Sequence, residues 1–298
     1  MGEQDLLFTH KRYRKTVKNI AIIGANSFLS QSLLKLFTEN FNVTQVYNNN
    51  DNRIDKLGSY LTIDAFLEEI IDIDIIYYIA SYINFSEKNS DLEKSFFSNV
   101  LLLKKISDLY PKAKIIHTSS VSVYATTDQP ISELSELNPE SSYGLSKLWA
   151  ELIVNNHSGG GVNVRISSLF GENMNTNTFL PLIMKDSILE NKISLYGDGS
   201  RLQNYIYVDD VARILYCALD YNEDMPLLAV NNKSYSNLEI ANIIKSIKPN
   251  LEINFKGSDN SYNSKYDNNN TMSYLNLTFT NSFHKQIIKT FEWLKKQY

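Results

Sequence analysis

The sequence places a phenol and a primary amine four residues apart, in Ser141-Ser142-Tyr143-Gly144-Leu145-Ser146-Lys147. That stretch opens an amphipathic pattern reaching about Asn155. On a helix, Tyr143 and Lys147 would stand on one face, one turn apart. An ammonium ~6 Å from a phenol, at an effective dielectric of ~20, favours the phenolate by roughly 2.8 kcal/mol and moves its pKa from ~10 towards ~8. The pair is then an acid–base device, and a bound cation would push the phenol further. The plain alternative is an exposed helix pair. The chain has 19 Tyr, so the pattern should also arise by chance. It recurs at Tyr110 and Lys114, where Pro111 blocks a helix and the chain runs into a strand.

The bulk of the chain narrows what such a pair can serve. At 298 residues it is one large domain, or a domain with a smaller lobe. Its net charge of −4, from 29 basic and 33 acidic residues, argues against a nucleic-acid binder. The single Cys217 excludes an internal disulfide framework and is expected as a buried small hydrophobe in Ile214–Leu219. No Cys/His cluster has metal-ligand spacing. No apolar run reaches transmembrane length, and Leu6-Leu7-Phe8 is too short for a signal-peptide core, so a cytoplasmic protein without membrane partners is expected. Residues 1–17 read as a basic, solvated tail with Lys11, Arg12, Arg14 and Lys15.

The elements that would position the pair alternate strand and helix. Asn19-Ile20-Ala21-Ile22-Ile23-Gly24 suits a buried parallel strand. Ala25-Asn26-Ser27-Phe28-Leu29-Ser30 then turns into a helix with Leu29, Leu33, Leu34 and Phe37 at helical spacing. A strand, a tight turn and a helix start form the frame of a pyrophosphate site. Of the glycines at 24, 27 and 30 that a full G-x-x-G-x-x-G needs, only Gly24 is present; Ser27 and Ser30 can cap a helix or donate to a phosphate. Further strands are expected at Asn42–Tyr47, Asp74–Ala80 and Ala113–Thr118, and as one run at Val162–Phe170 closed by Gly171. A helix should begin at Asn99-Val100-Leu101-Leu102. The hydroxyl cluster Ser119-Ser120-Val121-Ser122-Val123-Tyr124 falls at a strand end, where open parallel sheets bind ligands. Later come a helix near Phe179–Leu189, the strand Ile193–Tyr196, the turn Gly197-Asp198-Gly199, and the strand Tyr205–Val208 running into Asp209-Asp210 at a helix start. Ser236 caps a helix Asn237–Ile247, Lys256–Thr271 reads as loop, and a helix closes the chain at about Ser282–Lys296. The pattern is that of an α/β doubly wound parallel sheet.

Together these stretches resemble the extended short-chain dehydrogenase/reductase family of the NAD-dependent epimerase/dehydratase type, over about residues 19–298. The motifs are the Gly24 turn, the strand ending at Ala80, Asn99-Val100, the S-S-x-x-V-Y run from Ser119, the Y-x-x-x-K of Tyr143 and Lys147, and Gly197-Asp198-Gly199-Ser200 followed by Asn204-Tyr205-Ile206-Tyr207-Val208-Asp209-Asp210. The resemblance implies a Rossmann-like fold, residues 18–171 with 205–231, and a smaller α+β substrate-binding lobe, residues 172–204 with 232–298. It implies NAD or NADP held by Gly24, Asn26, Ser27, Phe28, Leu29, Asn48, Ala80, Asn99 and Lys147, and catalysis by Ser120, Tyr143 and Lys147. A nucleotide sugar would meet Ser122, Ser168, Thr178, Tyr196, Arg201 and Gln203.

The implied chemistry is reversible hydride transfer at a hexose carbon, with C4 expected. Tyr143 takes the hydroxyl proton, Lys147 binds the nicotinamide ribose, and Ser120 positions the same substrate oxygen. A dehydratase of this family carries an Asp-Glu pair where Val121 and Ser122 stand, which sets dehydration aside. Five positions depart from the family. Ser27 and Ser30 replace glycines, Asn48 replaces the ribose-reading acid, Gln203 replaces the Arg that ordinarily holds the diphosphate, and Ser168 replaces a sugar-contacting Asn. Loss of the acid at Asn48 leans towards NADP. Arg201, two residues before Gln203, would reach the same site if the chain is extended there; otherwise it is a solvated turn residue. The readings are a 4-epimerase, an NADPH-dependent ketosugar reductase, or a non-catalytic cofactor-binding module. Trp149, Leu152 and Ile153 on the Tyr143 helix, with the helix after Asn99, imply a homodimer; the alternative is that they pack within the subunit.

Overall fold

A computed structural model describes residues 17–38, 40–48, 59–83, 89–279 and 281–298. The basic side chains expected in the N-terminal tail, and Asn49, Asn50 and Arg53 beside the expected ribose reader, lie outside the described residues. The first half of the chain alternates strand and helix: β1 Lys18–Ile23, α1 Phe28–Leu34, β2 Phe41–Tyr47, β3 Ser59–Thr62, α2 Ile63–Glu68, β4 Ile75–Tyr78, α3 Asn89–Phe96, α4 Leu102–Leu109, β5 Lys114–Ser120, α5 Ser142–Asn155 and β6 Gly161–Ile166. The second half holds β7 Ser168–Phe170, α6 Phe179–Glu190, β8 Lys192–Tyr196, β9 Leu202–Gln203, β10 Tyr205–Tyr207, α7 Val208–Cys217, β11 Leu227–Ala229, β12 Tyr235–Ser236, α8 Asn237–Ile247, β13 Glu252–Lys256, α9 Asn269–Tyr274 and α10 Phe283–Lys295.

Seven strands form one parallel sheet in the order β11-β6-β5-β4-β1-β2-β3. The chain starts in the middle of the sheet and winds outwards both ways. The switch point therefore lies between β1 and β4, and a crevice opens over their C-terminal ends. Continuous apolar runs such as Ile20–Ile23 and Ile75–Tyr78 are buried because helices cover both faces. On one face Ile20, Ile22 and Tyr77 pack towards α7 and onwards to Leu180, Ile240 and Phe291 of α6, α8 and α10. The elements beyond the sheet thus share its core. On the other face Ala21, Ile23 and Tyr78 meet Leu103, Ile106, Ala150 and Val154 of α4 and α5.

Helix starts follow the local chemistry. Ser27, Thr62, Ser141 and Ser282 each accept a backbone N–H from three residues on. Ser236 and Glu239 form a reciprocal capping box at α8, which begins and ends as the sequence predicts. Asp209 and Asp210 occupy the first turn of α7; Ser32 of α1 bonds Asp209, and Gln286 of α10 donates to Asp210 at 2.7 Å. The second Tyr/Lys pattern is structural. Tyr110 is buried with its hydroxyl on the Phe66 carbonyl, and the Lys114 ammonium closes the C-terminal end of α7 on the carbonyls of Ala218, Leu219 and Tyr221.

Several elements differ from the expectation. The run Val162–Phe170 is two strands: β6 ends in the large sheet, and past Ser167 the chain crosses to pair β7 with β10. The Ser167 amide is drawn to the Ala229 carbonyl and that of Ser168 to Asn204, which splits the run. Asn99 does not start a helix. It sits within a five-residue π-helical segment, Phe97–Leu101, joining α3 to α4. Lys256 ends β13, and α9 starts at Asn269, so the expected loop is shorter than read. Cys217 is half-buried, as the last residue of α7, rather than fully enclosed.

Candidate active site

A cleft of about 850 Å³ lies over the C-terminal ends of β1, β2, β4, β5 and β6. Gly24, at φ +88°, makes the turn out of β1, and a Cβ there would lie 2.6 Å from the Ala80 amide nitrogen. The close approach of the two strand ends therefore demands glycine at 24. The serines at the other two glycine positions tighten the same turn. Ser27 Oγ accepts the Ser30 amide at 3.1 Å, and Ser30 Oγ donates to the Gly24 carbonyl at 2.9 Å. Both hydroxyls are engaged within the turn. Phe28 and Leu29, the first residues of α1, keep backbone N–H groups without intrahelical acceptors, and both line the cleft with Asn26 and Ser27. Exposed Asn48 lines the cleft where β2 ends, with Asp64 from the first turn of α2.

β5 and α5 bring the catalytic candidates together. Ser120 ends β5, and its Oγ accepts the Ser122 amide at 3.1 Å. α5 passes so close to this turn that a Cβ at Gly144 would lie 2.2 Å from the Ser122 carbonyl oxygen. Tyr143 lines the cleft together with Ser81 and Ser120. One turn on, Lys147 is 1% exposed and donates to the Thr118 carbonyl at 2.8 Å. One further turn on, Glu151 accepts from Ser119 Oγ at 2.6 Å and takes a bidentate Arg165 pair, at 2.9 and 2.7 Å. Arg165 also donates to the Tyr124 hydroxyl at 2.9 Å and the Glu133 carbonyl at 3.0 Å. This buried network fixes α5 against β5 and β6 behind the cleft.

The electrostatics correct one expectation. Burial pushes the Tyr143 phenol above its ordinary value, and the hydroxyls of Ser81 and Ser120 oppose that rise. The Lys147 nitrogen stands 5.8 Å from the Tyr143 ring centroid and points at a carbonyl. Burial brings the Lys147 ammonium down to about 7, with Glu151 working the other way. An amine that is itself reluctant to be charged does not depress its neighbour. His117, behind Lys147, is held neutral by burial at about 3, with the nearby Lys147 charge adding to the effect and Nδ1 on Asn163 Oδ1 at 2.8 Å.

The cleft gathers Gly24, Asn26, Ser27, Phe28, Leu29, Asn48, Ala80, Ser120, Ser122, Tyr143, Lys147, Ser168, Thr178 and Gln203. Three expected contacts do not line it. Asn99 is fully buried and its amide is engaged by protein: Oδ1 accepts the Tyr82 amide at 2.8 Å, and Nδ2 donates to the Tyr82 carbonyl and Ser146 Oγ, each at 3.0 Å. It is a tie between elements. Tyr196, on β8, is half-exposed with the Lys256 ammonium 4.6 Å from its ring centroid. Arg201 precedes the strand β9 and leans to Asp259 at 3.9 Å, with its Nε buried and unpaired. Gln203, in β9, donates to Asn237 Oδ1 at 2.6 Å. Sequence reading missed Ser81, Asp64, Asn175 and Tyr205, which also line the cleft. Ser81 follows an expected strand end and was open to detection; Asp64 depends on β3 and α2, which at 4 and 6 residues are too short to show a period.

The residues present fit a dinucleotide cofactor. The first turn of α1 presents the Phe28 and Leu29 amides, which have no intrahelical acceptor, and the Lys147 ammonium spends one of its three N–H groups on Thr118 while lining the cleft.

The model of the NAD dependent epimerase/dehydratase family matches residues 20–231. UDP-glucose 4-epimerase of Mycoplasma genitalium is 28% identical over 289 residues, covering 80% of this chain and 85% of that protein. A dTDP-4-dehydro-6-deoxyglucose reductase of Escherichia coli is 29% identical over 145 residues, 46% of either chain. Among solved structures, UDP-N-acetylglucosamine 4-epimerase from Methanobrevibacter ruminantium in complex with UDP-N-acetylmuramic acid matches with a TM-score of 0.82 at 20% identity, over 94% of this chain and 99% of that one. UDP-glucuronic acid 4-epimerase from Bacillus cereus, with UDP-glucuronic acid and NAD, matches with a TM-score of 0.81 at 19% identity, over 94% and 100%. The structural likeness establishes the fold, and the sequence match over residues 20–231 establishes the kinship: the chain belongs to the NAD-dependent epimerase/dehydratase family.

Proposed function

We propose that this chain is an NAD-dependent nucleotide-sugar epimerase acting at C4 of a hexose, in the cytoplasm. The observation that carries the reading is the convergence of Ser120, Tyr143 and Lys147 on one cleft with the Gly24 turn. When bound, NAD supplies a reversible acceptor for the hydrogen and electron pair leaving the sugar carbon. Tyr143 takes the proton of the sugar hydroxyl as that carbon is oxidised and returns it on reduction. Ser120 holds the same oxygen, and the buried Lys147 anchors the cofactor's ribose. The charged residues lining the cleft, among the described residues, are Lys147 and Asp64. The NAD bound in the Bacillus cereus structure supports NAD over the NADP towards which the loss of an acid at Asn48 leans.

For the substrate, Ser122, Ser168 and Thr178 offer hydroxyls to the sugar, and Tyr196 and Arg201 serve the nucleotide end outside the cleft. The chain assembles as a homodimer through α5 and the α3–α4 run. There Leu145, Trp149 and Leu152 are 53%, 52% and 55% exposed, and Phe97 is 59% exposed. The reading is tested by assaying interconversion of UDP-glucose and UDP-galactose, with the denatured protein examined for released NAD. Tyr143→Phe should lower turnover by roughly 10²–10⁴; activity within threefold of the parent sinks the assignment. The reductase relative favours one second reading. Consumption of NADPH with a nucleotide-4-ketosugar, and no epimerisation, would decide for it.

A further inference from the structure

β13 is an edge strand, and none of its residues lines the cleft. Among the described residues it pairs with β8 alone, in parallel, with Glu252 beside Lys192 and Lys256 beside Tyr196. The hydrogen bonds fix which way its backbone points. The Glu252 amide donates to the Asn191 carbonyl and the Gly197 amide to the Lys256 carbonyl, each at 3.1 Å. Glu252, Asn254 and Lys256 therefore turn their backbone groups towards β8, and those of Ile253 and Phe255 point to the open side. Every residue of the strand except Ile253 is exposed. Phe255 lies beside Leu195, on the sheet face where Ile193 and Leu195 are fully buried, yet it is 53% exposed. An open edge with an uncovered aromatic side chain is a template for another strand.

We propose that this edge pairs with β13 of a second copy of this chain, antiparallel, about a two-fold axis at Asn254. The segment Glu252-Ile253-Asn254-Phe255-Lys256 is complementary to its own reverse. Turned end for end, it sets Glu252 opposite Lys256, Ile253 opposite Phe255, and Asn254 opposite its own copy. Ile253 and Phe255 are the residues whose backbone groups face outwards, so each facing pair exchanges both of its N–H to O=C bonds. On one face Phe255 covers Ile253 of the second copy and continues the apolar side of the sheet. On the other face Glu252 meets the Lys256 ammonium, which rests over the Tyr196 ring, 4.6 Å from its centroid, and keeps its N–H donors for a carboxylate. Other registers lose the match. A parallel pairing in register sets Glu252 against Glu252 and Lys256 against Lys256. A one-residue slip turns the wrong backbone groups inwards, and a two-residue slip puts the charges opposite Asn254. The charges that ordinarily blunt an edge strand here select one partner and one register. The contact is small, well short of the ~1,600 Å² of a standard interface, so it fills at protein concentrations on the order of 1 mM and is separate from the proposed α5 contact.

The test uses single cysteines in the full chain carrying Cys217→Ser. At the axis the two copies of position 254 form a non-hydrogen-bonded pair with Cα atoms about 4.5 Å apart, within reach of a disulfide. Asn254→Cys at about 1 mM protein should give a disulfide-linked dimer on mild oxidation, read as doubled mass on a non-reducing gel. Glu252→Cys, also at an exposed position of the strand, should not, because its two copies would lie roughly 13 Å apart along the paired strands. Adding Glu252→Lys to Asn254→Cys sets Lys against Lys256 and should lower the linked fraction about fivefold. Adding Lys256→Glu to that variant should restore it. Melting temperatures should stay at the parental value throughout, since these positions are exposed. No linkage at Asn254→Cys, equal linkage at Glu252→Cys, or a yield indifferent to Glu252→Lys overturns the proposal. The gel needs no turnover, so the result stands apart from the catalytic reading.

Discussion

Lys147 is an amine buried almost completely with a carbonyl as its hydrogen-bond partner. Its folded pKa of about 7 lies below the ordinary 10.5, so between those values the unfolded chain binds more protons. Stability must then rise with pH across that window, and the cost of the buried charge is full below it. Lys147→Met should therefore stabilise the protein near pH 7, with an advantage over the parent that shrinks towards pH 10. Urea midpoints at both pH values check this, and an advantage independent of pH would refute it. The same variant should lose NAD affinity. Lys114→Met should not, because Lys114 holds the end of α7; it should cost stability, about 1–2 kcal/mol in urea unfolding. Gln203 is the other residue whose type matters. With its amide on Asn237, it offers a diphosphate no charge. If Arg201 supplies the missing cation, Arg201→Ala should weaken UDP binding about tenfold with NAD binding unchanged. Gln203→Arg should strengthen it. Calorimetric titration with UDP that registers neither change would place the phosphates elsewhere.

At the scale of elements, α5 carries the site and is fixed on several sides. Ser141 caps it, Glu151 and Arg165 bind its middle to β5 and β6, and Asn99 ties its first turn to the β4 loop through Ser146. Its closest approach is at Gly144, where a methyl group would meet the Ser122 carbonyl at 2.2 Å. Backbone cannot yield as a flexible side chain can. Gly144→Ala should push Tyr143 away from Ser120, costing about 1–3 kcal/mol of stability and at least tenfold in turnover. A variant with parental turnover and an unchanged melting temperature would show that α5 can move without consequence.

At the scale of the molecule, the proposed homodimer turns on the outer face of α5. Phe96 packs edge-on against Trp149 with ring centroids 5.7 Å apart, so the exposed groups of α3 and α5 form a continuous apolar surface. Burying it against a second copy gives a two-fold helical contact. Sedimentation at micromolar concentration should show a dimer, and Leu152→Glu should give a monomer with the fold intact by circular dichroism. A parent that sediments as a monomer at every concentration decides that these side chains serve only the subunit.

The sequence alone determined the alternating strands, the turn at Gly24, the helix from Ser141 and the set of Ser120, Tyr143 and Lys147. Each is written in local chemistry: an apolar run, a positive-φ glycine, a capping serine, a four-residue spacing. It also limited the second Tyr/Lys pattern, because Pro111 follows Tyr110 directly. What it could not supply was anything that depends on which strands become neighbours. The break at Ser167 arises because β6 and β7 pair with different partners, and apolar content is the same on either side of it. Asn99 turned from an expected cofactor contact into a clamp because its partners, at 82 and 146, come from other elements. The ionisation of Tyr143 and Lys147 was decided the same way. Spacing gives their separation, but burial, the Thr118 carbonyl and the two serines set their protonation, and tertiary packing alone assembles that environment.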